Sequence, residues 1–60
     1  MRVHVINSGF GTDSGYLDVE VVSLKLDMYN RPYAIVSHPN WYGENYRAEF
    51  RDNDWVVDFD

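Results

Sequence analysis

Apolar and polar residues alternate along most of this chain, and no segment sustains the i, i+3, i+4 apolar spacing of a helix. In "RVHVIN", Val3 and Val5 fall on one side, with Arg2 and His4 on the other. "NSGFGTDSG" follows, and its glycines and small polar residues predict a loop. In "YLDVEVVSLKLD", Leu17, Val19 and Val21 share a face against Asp18 and Glu20. The parity then inverts, so that Val22, Leu24 and Leu26 share a face with Ser23 and Lys25 opposite. One extra residue in a strand has this effect, which predicts a β-bulge or sharp bend at Val21–Val22. At the corner of a small barrel such a bend would turn both valines toward the core.

"DMYNRP" is a turn by its Asp, Asn and Pro content, and it leads into the strand "YAIVSH". "HPNWYGENY" has the Pro, Asn and Gly of a loop, yet it holds Trp41, Tyr42 and Tyr46. Tyr46, Ala48 and Phe50 next alternate against Arg47 and Glu49. "RDND" signals a tight turn, and "WVVDFD" sets Trp55, Val57 and Phe59 opposite Val56, Asp58 and Asp60. Residues 24–60 thus read as a three-stranded antiparallel meander with one long loop and one short one. The expected fold is a single all-β domain over residues 1–60. It is a small five-stranded antiparallel barrel or a strongly bent sheet, because closure removes exposed strand edges.

The bent strand ending "LKLD", the strand "YAIV", a loop, and then "YRAEF", "RDND" and "WVVDF" resemble the meander of SH3-like barrels, including the Tudor and KOW types. The resemblance covers roughly residues 17–60. It implies a module that reads a peptide in an aromatic groove, here formed by Tyr29, Trp41 and Tyr42. The chain departs from true SH3 domains in lacking the acidic loop and following Trp-Trp pair used for proline-rich ligands. It also lacks the basic face of KOW modules that touch RNA, so neither ligand class carries over.

Charge narrows the choice of partner. Ten carboxylates face five Lys and Arg, a formal net charge of −5. Residues 41–60 alone carry two basic and six acidic side chains. Direct binding to nucleic acid or to an anionic membrane is disfavoured, because the phosphate term would be repulsive. A partner protein with a basic surface is favoured instead. The bland alternative is that the carboxylates only keep a small domain soluble. In size and charge the chain resembles small phage-encoded proteins that bind and inhibit host factors, some by imitating the charge of DNA.

The chain has no cysteine, which excludes disulfides, thiolate metal sites and a cysteine nucleophile and fits a reducing compartment. "MRVHVINSGF" has no apolar run of signal-peptide length, and no stretch is long enough to span a bilayer. The expectation is a soluble cytoplasmic protein, in the host cytoplasm if it is viral. At 60 residues a fold is near the lower size limit and would gain from a homodimer or a bound partner, and a third functional reading is a structural, self-assembling subunit completed by edge pairing.

Catalytic and metal chemistry find little support. Ser37 and His38 are neighbours on a strand, so their side chains point to opposite faces, a poor arrangement for a nucleophile and its base. A metal site using His4, His38 and a carboxylate needs the first strand beside the strand "YAIVSH", which nothing in the spacing requires. Asp52, Asp54, Asp58 and Asp60 lack the glycine and terminal Glu of a calcium loop, and read as a turn followed by a solvated strand face. "GFGTDSG" lacks the following helix and lysine of a phosphate loop. The chain reads as a non-enzymatic protein with no cofactor and no metal.

The rings carry more information. Tyr33, Phe50, Trp55 and Phe59 sit at alternation points and are expected in the core. Trp41 and Tyr42 lie in a segment that cannot bury its own backbone cheaply, and Trp and Tyr are enriched in binding hot spots. The expected partner-binding set is Trp41, Tyr42, Tyr29, Glu44, Asp52, Asp54 and Asp58. The competing expectation is that the two loop rings fold back and plug the barrel mouth.

Overall fold

A β-bulge does interrupt the second apolar run, and that run reaches both ends of the sheet. The computed structural model of the protein describes residues 1–7 and 15–59. The strands are β1 (Arg2–Ile6), β2 (Tyr16–Asp18), β3 (Glu20–Leu26), β4 (Pro32–Ser37), β5 (Asn45–Arg51) and β6 (Asp54–Asp58). They form one sheet in the order β2-β1-β6-β5-β4-β3. From β3 to β6 the chain is an antiparallel meander of four strands, one more than expected. β1 then lies parallel to β6, and β2 runs antiparallel to β1.

The sheet is therefore six-stranded, mixed and open, which corrects the expected five-stranded antiparallel barrel. Two causes account for the difference. Alternation has the same period in either direction, so it cannot reveal that β1 runs parallel to β6. The run from Tyr16 to Leu26 also changes partner at Val19, pairing with β1 before it and with β4 after it. One apolar run thus supplies both end strands, and the ends are not hydrogen-bonded to each other into a closed ring.

The core lies on one face. Val3, Val19, Ala34, Val36, Ala48 and Val57 form its buried cluster. A flat single sheet leaves both faces wet, so complete burial of Val3, Ala34, Val36, Ala48 and Val57 requires strong curling about this face. Ala34 and Ala48 are cross-strand partners at its centre, and their small side chains permit tight curvature. Val19 sits where the run changes partner. Its N–H donates to the Met1 carbonyl at 2.7 Å, and the Met1 ammonium donates to the Val19 carbonyl at 3.0 Å.

The bulge falls where parity inverts. Val21 pairs with Val36 and Ser23 with Ile35, leaving Val22 as the extra residue. The expectation that both valines face the core fails, because Val21 is 43% and Val22 53% exposed. β3 is an edge strand whose inner face no strand among the described residues covers, and Leu24 and Leu26 are exposed as well. Phe50 is likewise exposed, and Tyr33 lies on the outer face with the Arg47 guanidinium 3.9 Å from its ring centroid. Of the four rings expected in the core, Trp55 and Phe59 pack against it.

Side chains set the turns. The Asp27 carboxylate accepts the N–H groups of Tyr29 at 2.8 Å and Arg31 at 2.9 Å, closing the β3–β4 connection. Asp52 and Asn53 both adopt positive φ between the paired residues Arg51 and Asp54, a two-residue hairpin that matches strand twist. "GFGTDS" and Asp60 lie outside the described residues. Among those described, no helix is long and apolar enough to cross a membrane.

Candidate functional site

The segment between β4 and β5 folds as one 3-10 turn, Pro39–Trp41. Proline suits its first position because its φ is already fixed and its missing N–H would have no partner there. The His38 ring accepts the N–H of Asn40 through Nδ1 at 3.1 Å, which caps the turn. The turn ends as Tyr42 (φ 52°) and Gly43 (φ 83°) take left-handed conformations, and the Glu44 N–H donates to the Trp41 carbonyl at 3.0 Å.

This geometry gives two adjacent rings opposite environments. Trp41 turns inward and stands edge-on to Tyr46 and Phe59, with centroids 5.1 Å and 5.7 Å away. Tyr46 and Phe59 meet each other at 4.6 Å, completing a triangle at one mouth of the curled sheet. Trp41 is the half-buried partial plug. Tyr42 instead points out and is 95% exposed.

Beside Trp41 the mouth opens into a groove of about 900 Å³. Val5, Leu17, Tyr46 and Phe59 form its floor, since each packs against the core, while Tyr42, His38 and Glu44 stand at its rim. The Tyr46 hydroxyl donates to the Glu44 carboxylate at 3.0 Å. That bond, with burial and the carboxylate charge adding to it, raises the Tyr46 phenol above its ordinary value of 10.0. The phenol stays a donor at neutral pH, and Glu44 places a carboxylate at the rim of a largely apolar and aromatic surface.

Only three of the expected partner-binding residues meet here: Trp41, Tyr42 and Glu44. Tyr29 lies in the turn before β4 and Trp41 in the turn after it, so the strand separates them by roughly 20 Å. The groove of Tyr29, Trp41 and Tyr42 therefore does not form, and Tyr29 instead lies with the Arg31 guanidinium 5.1 Å from its ring centroid. Asp52 sits in the β5–β6 turn, at the far end of β5. Asp54 and Asp58 start and end β6 and are held within the molecule. Asp54 accepts the Tyr16 hydroxyl at 2.5 Å, which raises the Tyr16 phenol. Asp58 accepts the Asn7 amide at 2.9 Å and lies 3.7 Å from Arg51.

The floor was not recognised as a site from sequence. Alternation places Tyr46 and Phe59 inward, but only the parallel pairing of β1 with β6 brings Val5 and Leu17 to the same mouth. The two imidazoles stay apart in the sheet: His4 stacks on Tyr16 at 5.0 Å, and β1 lies between β2 and β6 rather than beside β4. Among the described residues no group of three or more His, Asp or Glu side chains is placed to hold a metal ion. The groove's chemistry suits an extended segment with apolar side chains for the rings and a cation for Glu44. Compared with protein-family models, with curated proteins and with solved structures, the chain has no match.

Proposed function

We propose that this protein is a non-catalytic binding module that takes an extended, basic and apolar segment of a partner protein into the groove beside Trp41. The observation that carries the reading is Tyr42. A bulky residue in the left-handed region is strained where glycine or asparagine is at ease, and this ring covers almost nothing of its own chain. Neither local conformation nor packing explains it, whereas an exposed ring at the lip of an aromatic groove is what a partner contact uses. The role matches the peptide reading implied by the SH3-like resemblance, with Tyr46 and Phe59 taking the place of Tyr29.

The formal charge of −5 supports a basic partner surface, such as that of a nucleic-acid-handling factor, which the protein would inhibit by occupying it. Nuclear magnetic resonance titration of the labelled protein with an array of short peptides, graded in Lys/Arg and aromatic content, tests the proposal. Basic apolar peptides should shift the amide signals of residues 38–46, less so as salt rises, and acidic peptides should not. An array that leaves those signals unmoved would refute it.

A further inference from the structure

The other end of the sheet presents a second surface with a different character. Of the two end strands, β2 has only three residues, a common way to blunt an edge. β3 has seven and exposes Val22, Leu24 and Leu26, at 53%, 66% and 63%. Exposed Phe50 adds to the same apolar end, and Met28 follows in the adjoining turn at 86%. Long, apolar edges are the kind that recruit another strand.

The backbone on this edge is oriented to pair. The Asp27 N–H donates to the Arg31 carbonyl, so in the antiparallel ladder Lys25 and Ser23 also turn their N–H and C=O groups toward β4. Those of Leu24 and Leu26 then point to the open edge, where no strand of the described chain receives them. We propose that this edge pairs with β3 of a second copy, antiparallel about a two-fold axis at Leu24.

The strand is self-complementary in that register. Leu24 meets its own copy, Leu26 meets Val22, and on the outer face Lys25 meets Ser23, so no like charges oppose one another. Centring the axis on Lys25 would set two ammonium groups together. Centring it on Ser23 would place Lys25 against Val21 and Glu20 against Leu26. A different class of partner strand would have to match this apolar row and its single lysine by chance, whereas a second copy does so by symmetry. The contact is at the small end of interface sizes, below about 1,200 Å² in total, so the dimer is a weak one. It runs along the outer edge of β3, which supplies no residue to the groove, and so leaves the groove open.

Sedimentation equilibrium from about 10 μM to about 1 mM, combined with amide hydrogen exchange at both limits, tests the pairing. The expected result is a growing dimer fraction and at least tenfold slower exchange at Leu24 and Leu26 in the concentrated sample. Leu24→Lys and Leu26→Lys, both at exposed positions, should raise the dimer dissociation constant at least tenfold while the circular dichroism spectrum is unchanged. A monomer throughout the range would overturn the proposal. So would a dimer whose Leu24 and Leu26 amides exchange equally fast at both limits. These readouts concern residues 24–26 and the peptide titration residues 38–46, so either proposal can fail without the other.

Discussion

The indole of Trp41 stands edge-on to the ring of Phe59, with centroids 5.7 Å apart and planes at 79°. This contact ties the connection between β4 and β5 to the residue just beyond β6, across a mouth that the backbone leaves open. Truncation therefore loses two edge-to-face pairs together with the buried part of the indole. Trp41→Ala should destabilise the fold by about 2–3 kcal/mol, less than the roughly 3–5 kcal/mol of a fully buried tryptophan. Denaturant unfolding measures it, and an unchanged midpoint would mean that the triangle of rings does not support the sheet.

Tyr42 should behave in the opposite way. Asparagine tolerates the left-handed conformation at this position better than tyrosine does, and no packing is lost with a ring that is 95% exposed. Tyr42→Asn should leave the melting temperature unchanged or raise it by a few degrees, on a scale where about 1 kcal/mol corresponds to roughly 4–8 °C. Binding of the best peptide from the array should weaken by more than about 2 kcal/mol. Loss of stability with retained binding would show that Tyr42 is structural.

At the bend the buried position is Val19, not Val21 or Val22. Val19→Asp would place an uncompensated charge in the core cluster, and the domain should be unfolded at room temperature. Val22→Asp, at a half-exposed bulge, should change stability by less than about 1 kcal/mol. Circular dichroism melts of the two variants separate the positions; equal damage would place Val22 in the core after all.

The Asp27 carboxyl sits below its ordinary value of 3.8. The Arg31 N–H is the largest cause, and the Tyr29 N–H and the Arg31 guanidinium add to it, against an opposing contribution from burial. A carboxyl lowered by folding contributes stability that is present above its unfolded value and is lost as pH falls through the folded one. Asp27→Asn keeps an acceptor for the turn but removes the charge. Its melting temperature should therefore fall less than the wild type's between about pH 5 and pH 2, so that the two curves converge in acid. Parallel curves would assign acid sensitivity to other carboxylates.

Strand positions and facing were legible because period-two alternation is imposed by the pleat itself. Val3, Ala48 and Val57 emerge on the inward side, and the inversion after Val21 marks the bulge to within one residue. In the wholly apolar run of β4, by contrast, Tyr33 was expected inward, and Ala34 and Val36 hold that face instead. The turns were legible too, from Asp27 and from Asp52–Asn53. The site was legible only in part. The conflict between turn formers and rings in "HPNWYGENY" singled out Trp41 and Tyr42, but which ring is plug and which is lip depends on the left-handed φ that ends the 3-10 turn. Pairing was the tertiary structure's decision. Alternation does not encode which strand lies next to which or in what direction, so the chain's local pattern is equally consistent with a closed antiparallel barrel and with an open mixed sheet. Hydrogen bonding between residues more than 50 apart in sequence sets β1 beside β6. That long-range pairing assembles Val5, Leu17, Tyr46 and Phe59 into one groove and leaves β3 with an unpaired edge.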